Sequence, residues 1–334
     1  MALSFKIIFM MSLMLGSLIS ISSLSWLMAW MGLEINLLSF IPLMKTKSKF
    51  SHEAMIKYFI IQAMASMIFL MSSLLSKTSI SFPTMIENYS FLISLSLLMK
   101  MGAAPFHFWL PEVASGLSWM NLFILLTWQK IAPMMLLSLT TLMPSSLSIF
   151  IIFSSLIGSI QGINQTCMRK IMTYSSINHI GWMLSAILNS ITLWFLYFMI
   201  YMLTSMNIII ILMKNNIIFL NQMSKMISFN KNLKLFFMSN FMSLGGLPPL
   251  IGFFPKWILI NIMIKNNQFT LVFLLILLTI ITLYFYIRIC ISSFTFLNKE
   301  SLLKNSFNLN FWYLFINFII LSSLLIMVSP SEFL

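Results

Sequence analysis

The sequence predicts an all-α membrane protein of eleven transmembrane helices: two inverted five-helix units, each with a broken helix, plus a C-terminal helix. Three observations predict it. Of the 334 residues, 60% are hydrophobic and only 7% charged, whereas a soluble domain is about 25% charged. The apolar residues fall into long runs, each close to the roughly 20 residues a helix needs to cross a hydrocarbon layer about 30 Å thick. The lysines between the runs are spread very unevenly once the runs are taken to alternate in direction.

The runs lie near residues 4–22, 24–43, 55–76, 89–110, 119–141, 147–163, 171–189, 191–213, 235–264, 268–292 and 310–329. The first is long enough to span rather than to serve as a cleaved signal. Only "SISSLS", without charge or proline, separates it from the second. The first five runs form a unit over 1–141, the next five a unit over 147–292, and the run at 310–329 stands alone. In each unit the fourth run is interrupted. Pro105 follows Lys100 by five residues, with Gly102 between them, and the ninth run carries Gly245, Gly246, Pro248, Pro249, Gly252 and Pro255 ahead of Lys256. Proline removes a backbone hydrogen bond and clashes with the preceding turn, so Pro105, Pro248, Pro249 and Pro255 predict helix breaks. Carbonyls freed at membrane depth are tolerated only where they are buried in protein or line a hydrated cavity. Because five is odd, the second unit runs inverted relative to the first, the pattern of transporters with discontinuous helices.

Alternation puts the N-terminus on the same side as Lys6, Lys45, Lys47, Lys49, Lys57, Arg169, Lys170, Lys214, Lys225, Lys231, Lys234, Lys299 and Lys304, and leaves only Lys77 and Lys265 on the other. Positive charge collects on the cytoplasm-like side, which in a mitochondrion is the matrix. The C-terminus is then expected in the intermembrane space. Heavy use of Met (31) and Phe (32) fits an AT-rich genome that reads extra codons as Met, the character of animal mitochondrial DNA. The net charge of +13, carried by short loops, reads as topology signalling rather than as a nucleic-acid surface. Cys167 and Cys290 are far apart and no metal-ligand spacing surrounds them. The glycines of "LGGLPPLIGFF" lack the strand and helix context of a phosphate loop. The chain is therefore expected to carry no redox group.

Four ionisable residues fall inside spans: Glu34, Lys100, Lys130 and Lys256. A charge at the bilayer centre costs roughly 3 kcal/mol on the lenient insertion scale, so four unpaired ones would cost on the order of 10 kcal/mol. They are expected to face protein or water and to pair. Buried groups that can trade a proton when a neighbour moves are what a proton path requires. Arg288 is close enough to the end of its span to snorkel. His107 either donates a hydrogen bond at the first break or packs structurally, and Glu112 reads as a solvated or interface charge. Trp109, Trp119, Trp128 and Trp182 read as packing or interface-belt residues, and His52 and Glu53 sit in a Lys-rich loop suited to lipid headgroups or partner chains.

The segments "WMGLEINLLSF", "KMGAAPFHFWLPEV", "LLTWQKIAPM", "TYSSINHIGWM" and "GGLPPLIGFFPKW" occur in this order from the second run to the ninth. On them the chain resembles the antiporter-like membrane-arm subunits of respiratory complex I, in the short animal-mitochondrial form that lacks the first three helices of its bacterial relatives. The resemblance implies that Glu34 pairs with Lys100, that Lys130 is the central lysine, and that Lys256 is the ionisable residue of the second broken helix. His179 matches the histidine of the second half and would bridge Lys130 toward Lys256, directly or through water. The implied function is proton relay in the mitochondrial inner membrane, coupled to NADH oxidation and ubiquinone reduction elsewhere. FMN and iron–sulfur clusters would then lie in partner subunits, with none in this chain. The implied partners are other membrane-arm subunits, including neighbouring antiporter-like chains, and inner-membrane lipids; no nucleic acid is implied. A stand-alone cation/proton antiporter and a non-pumping scaffold are the alternatives, separable by the assembly in which the chain is found and by whether lysine substitution silences pumping or only impairs assembly.

Overall fold

The chain is described by a computed structural model over residues 2–46, 48–78, 83–140, 144–223 and 231–295. The expected span at 310–329 lies outside these residues, as do Lys47, Lys225, Lys299 and Lys304. Thirteen α-helices and no β-strand occur among the described residues; a single bridge joins Cys167 and Phe219. Seven helical stretches are long and apolar enough to cross a membrane, and shorter apolar helices cover Tyr89–Met101 and Leu235–Gly245. This is an all-helical membrane protein.

The chain divides into two compact units, Met1–Ser154 and Ser155–Leu334. The boundary falls inside a helix, α8 (Pro144–Ile163), rather than in the loop before it. The first unit contains α1 (Ala2–Ser22), α2 (Trp26–Met44), α3 (Lys49–Thr78), α4 (Pro83–Met101), α5 (Trp109–Gly116), α6 (Trp119–Leu126) and α7 (Trp128–Ser138). Ser25 ends the uncharged "SISSLS" link by accepting from Met28 N–H as the N-cap of α2. α1 and α2 then approach closely at Gly16 and Gly32: a Cβ on Gly32 would lie 2.6 Å from Ser20 N and 2.8 Å from Gly16 O. α3 packs on α2, α4 and α5, and α7 on α1, α4 and α6.

The second unit holds the rest of α8 with α9 (Met168–Asn189), α10 (Ile191–Lys214), α11 (Lys231–Gly245), α12 (Phe253–Lys265) and α13 (Phe269–Thr295). α9 is in contact with α10, α12 and α13. This helix buries Thr173, Ser175, Ser176, Asn178, His179 and Ser185 along with its apolar residues. Polar groups in a membrane helix are tolerated when they face protein, which explains why α9 is largely buried without being strongly apolar. Large apolar side chains stand exposed on the outer helices, for example Ile60 and Met64 on α3 and Phe273 and Ile280 on α13, as expected of surfaces that meet lipid. Arg288 does not snorkel freely: its guanidinium donates to Ile163 O and, at 2.9 Å, to Gln165 O, and so caps the end of α8.

Candidate functional site

The expected span at 89–110 does not continue as helix past Met101. Gly102 adopts φ +73°, Ala103 N–H reaches back to Leu98 O (3.0 Å) and Gly102 N–H to Met99 O (3.2 Å), the double bond pattern of a Schellman stop. Pro105 lies in the turn that follows, and α5 restarts the helix at Trp109. The expected span at 235–264 stops in the same way. Gly246 has φ +82°, with Leu247 N–H on Met242 O (3.2 Å) and Gly246 N–H on Ser243 O (3.0 Å). Pro248 and Pro249 lie in this second break, and the Ala104–Pro105 and Pro248–Pro249 bonds are both cis. Pro255 lies in the first turn of α12, where no N–H is needed, so it suits a helix start rather than interrupting one.

Around the first break, Lys100 in the last turn of α4 is 6% exposed and lines a cavity with Asn36, Tyr58, Gln62, Gln129 and Pro133. The cavity has room for about one water. Glu34 lies on α2, and it makes no direct ion pair with Lys100. The polar wall is itself tied together: Gln129 Nε2 donates to Asn36 Oδ1 (2.9 Å) and Gln62 Nε2 to Lys100 O (3.1 Å). Trp109 Nε1 donates to Met99 O (3.2 Å), and His107 Nδ1 donates to Pro105 O (3.1 Å), which gives His107 a bonding role inside the turn. Glu112 bonds Lys57 at 2.6 Å, with both side chains about half exposed.

Lys130 is 1% exposed and sits in the first turn of α7. The run at 119–141 is not one helix: Thr127 separates α6 from α7, and its hydroxyl and N–H both bond Phe123 O, at 2.7 and 3.0 Å. A threonine bonded to the carbonyl four residues back bends a helix, and Pro133 withholds a further hydrogen bond from Gln129 O. The packing of α4 on α7 brings the helices of Lys100 and Lys130 together.

In the second unit, Lys256 is 6% exposed and its Nζ donates to Leu244 O (3.2 Å) and Gly245 O (2.9 Å), the last carbonyls of α11. The ammonium stands 5.8 Å from the ring centre of Trp182 on α9. One helical turn before Trp182, His179 Nδ1 lies 2.9 Å from Tyr197 OH and its ring packs on Tyr201. His179, Tyr197, Tyr201, Thr204, Ser243 and Pro255 line a second cavity with room for about one water, and Leu244 reaches the same cavity.

The lysines thus sit on opposite sides of their breaks, Lys100 before and Lys256 after. The sequence reading did not single out Asn36, Tyr58, Gln62, Gln129, Thr127, Tyr197 or Tyr201. Asn36, Gln62 and Gln129 were findable as uncharged polar residues inside apolar runs; Tyr197 and Tyr201, four apart on one helix face, were hidden among aromatics. Among the described residues no three His, Cys, Asp or Glu side chains group as metal ligands.

The sequence pattern of the family described as NADH:quinone oxidoreductase/Mrp antiporter matches residues 23–282, which include every residue of both sites. The NADH-ubiquinone oxidoreductase chain 2 of Locusta migratoria is 47% identical over 311 residues, covering 92% of this chain and 90% of its own length. The chain belongs to the NADH-ubiquinone oxidoreductase chain 2 family. The chain 2 of Anopheles gambiae is likewise 47% identical, over 90% of each chain. This chain 2 family member also shares its fold with a chain of the respiratory complex I from Thermus thermophilus with bound aureothin, at TM-score 0.86 and 21% identity over 98% of this chain and 79% of that one. A chain of the Mrp complex from Dietzia sp. matches at TM-score 0.75 and 16% identity, over 88% of this chain and 61% of that one.

Proposed function

We propose that this chain works in the membrane arm of respiratory complex I and relays protons through Glu34, Lys100 and Lys130 in its first unit and His179 and Lys256 in its second. The observation that carries the reading is that Lys100 and Lys256 each adjoin a helix break and Lys130 a third interruption, all three buried. Buried lysines are retained only for a reason, because each must be matched by polar partners or water. Asn36, Gln62 and Gln129 supply polar neighbours for Lys100, and two carbonyls do so for Lys256. Glu34, on the same helix as Asn36 of that wall, would supply the opposite charge. The two water-sized cavities give room for proton carriers beside Lys100 and His179.

Electron transfer would take place elsewhere in the assembly, with FMN and iron–sulfur clusters held by partner subunits. The neighbouring partners would be other antiporter-like chains, and the lysine-rich loops would meet inner-membrane lipid. The topology would be two inverted five-helix units and a C-terminal helix, eleven spans in all, with the N-terminus in the matrix and the C-terminus in the intermembrane space. The deciding test is Lys130→Met in the assembled complex. Methionine keeps the stem and loses the proton carrier, so proton uptake per NADH oxidised should fall while the complex still assembles. Unchanged pumping in that variant would refute the relay.

A further inference from the structure

The carbonyls freed at the two breaks are satisfied by different chemistry. At the end of α4, Lys100 O takes the Gln62 amide, and Met99 O takes Trp109 Nε1–H beside Gly102 N–H, all neutral donors. At the end of α11, Leu244 O and Gly245 O both take the Lys256 ammonium. We propose that the second break is a cation seat, built to hold one primary ammonium group, in which Gly246 and Trp182 position Lys256 so that it exchanges its proton in place. The role in pumping rests on the relay reading, while the seat itself rests on geometry.

Each wall of the seat favours a cation. The C-terminal end of a helix carries partial negative charge, concentrated on the carbonyls that lack intrahelical partners. The Trp182 ring presents the negative face of its π-system at 5.8 Å, within cation–π range. Gly246 is needed twice. Its φ of +82° suits glycine, and a Cβ there would lie 2.9 Å from both Lys256 Cδ and Nζ, so the lysine stem lies in the space a side chain would fill.

Donor arithmetic then separates holding from exchange. An ammonium has three N–H donors, of which two are taken by Leu244 O and Gly245 O. Loss of the third proton leaves a neutral amine that still serves both carbonyls, so the helix end stays capped through a protonation cycle. Arginine at 256 could serve the same carbonyls but could not give up a proton. Leu244, whose carbonyl accepts from Lys256, also lines the cavity of His179, so the seat and that water-sized space share a residue.

The test uses the assembled complex carrying Trp182→Leu, Gly246→Ala or Lys256→Met, each imaged at a resolution that shows side chains and assayed for proton uptake per NADH oxidised. Trp182→Leu leaves the backbone untouched and should release Nζ from the two carbonyls, lowering pumping about threefold to tenfold. In the Lys256→Met background it should lower pumping no further, whereas a merely structural tryptophan would add its own loss. Gly246→Ala should displace Nζ as well. An Nζ that stays on both carbonyls in Trp182→Leu and Gly246→Ala overturns the seat. Normal pumping by Lys256→Met, with Nζ displaced in the other two variants, overturns the relay and leaves the seat standing.

Discussion

At the scale of single residues, polar side chains in this chain are placed to settle backbone accounts before they are placed to do chemistry. Serine hydroxyls throughout the helices return to the carbonyl three residues back, as Ser20 does to Ser17 O and Ser176 to Thr173 O, both at 2.7 Å, so a serine-rich helix can sit in lipid without orphaned donors. Gln62 and Trp109 do the same for the end of α4. Depth sets what such a contact is worth. Gln62→Leu would strand the buried Lys100 carbonyl, and should destabilise the first break by about 1–3 kcal/mol, read as a lower unfolding temperature of the assembled complex. Glu112→Gln removes only the negative charge of an exposed pair that water already screens, and should leave that temperature nearly unchanged.

At the scale of elements, the helices are defined by where they stop. The stops at Gly102 and Gly246 were legible because glycine and proline are local signals, with consequences fixed by φ and a missing N–H. The stop at Thr127 was not, because threonine bends a helix only when its hydroxyl folds back onto a carbonyl, which the residue name does not dictate. The α1–α2 crossing depends on a third kind of feature, close backbone approach at Gly32. Gly32→Val would drive two methyl groups into the backbone of Ser20 and Gly16. It should destabilise the pair by about 1–3 kcal/mol, seen as reduced assembly of the chain into the complex with no change in electron transfer by the fraction that assembles.

At the scale of the whole molecule, the proposed relay calls for a defined topology, and the uneven spread of lysines between alternating runs predicts an N-terminus in the matrix. An epitope added at the N-terminus should resist protease in intact mitochondria stripped of their outer membrane and become accessible once the inner membrane is opened. Digestion before opening would reverse the orientation. Composition, run length and lysine asymmetry, together with the segments around Glu34, Lys100, Lys130, His179 and Lys256, were enough to read the class and the family, because each depends on residue type and spacing along one chain. What each lysine touches was decided only by tertiary structure. Lys100 meets a wall from α2, α3 and α7, and Lys256 turns back onto α11 beneath Trp182 of α9. Those neighbours are distant in sequence and are brought within hydrogen-bond reach only by helix packing, to which no local pattern responds.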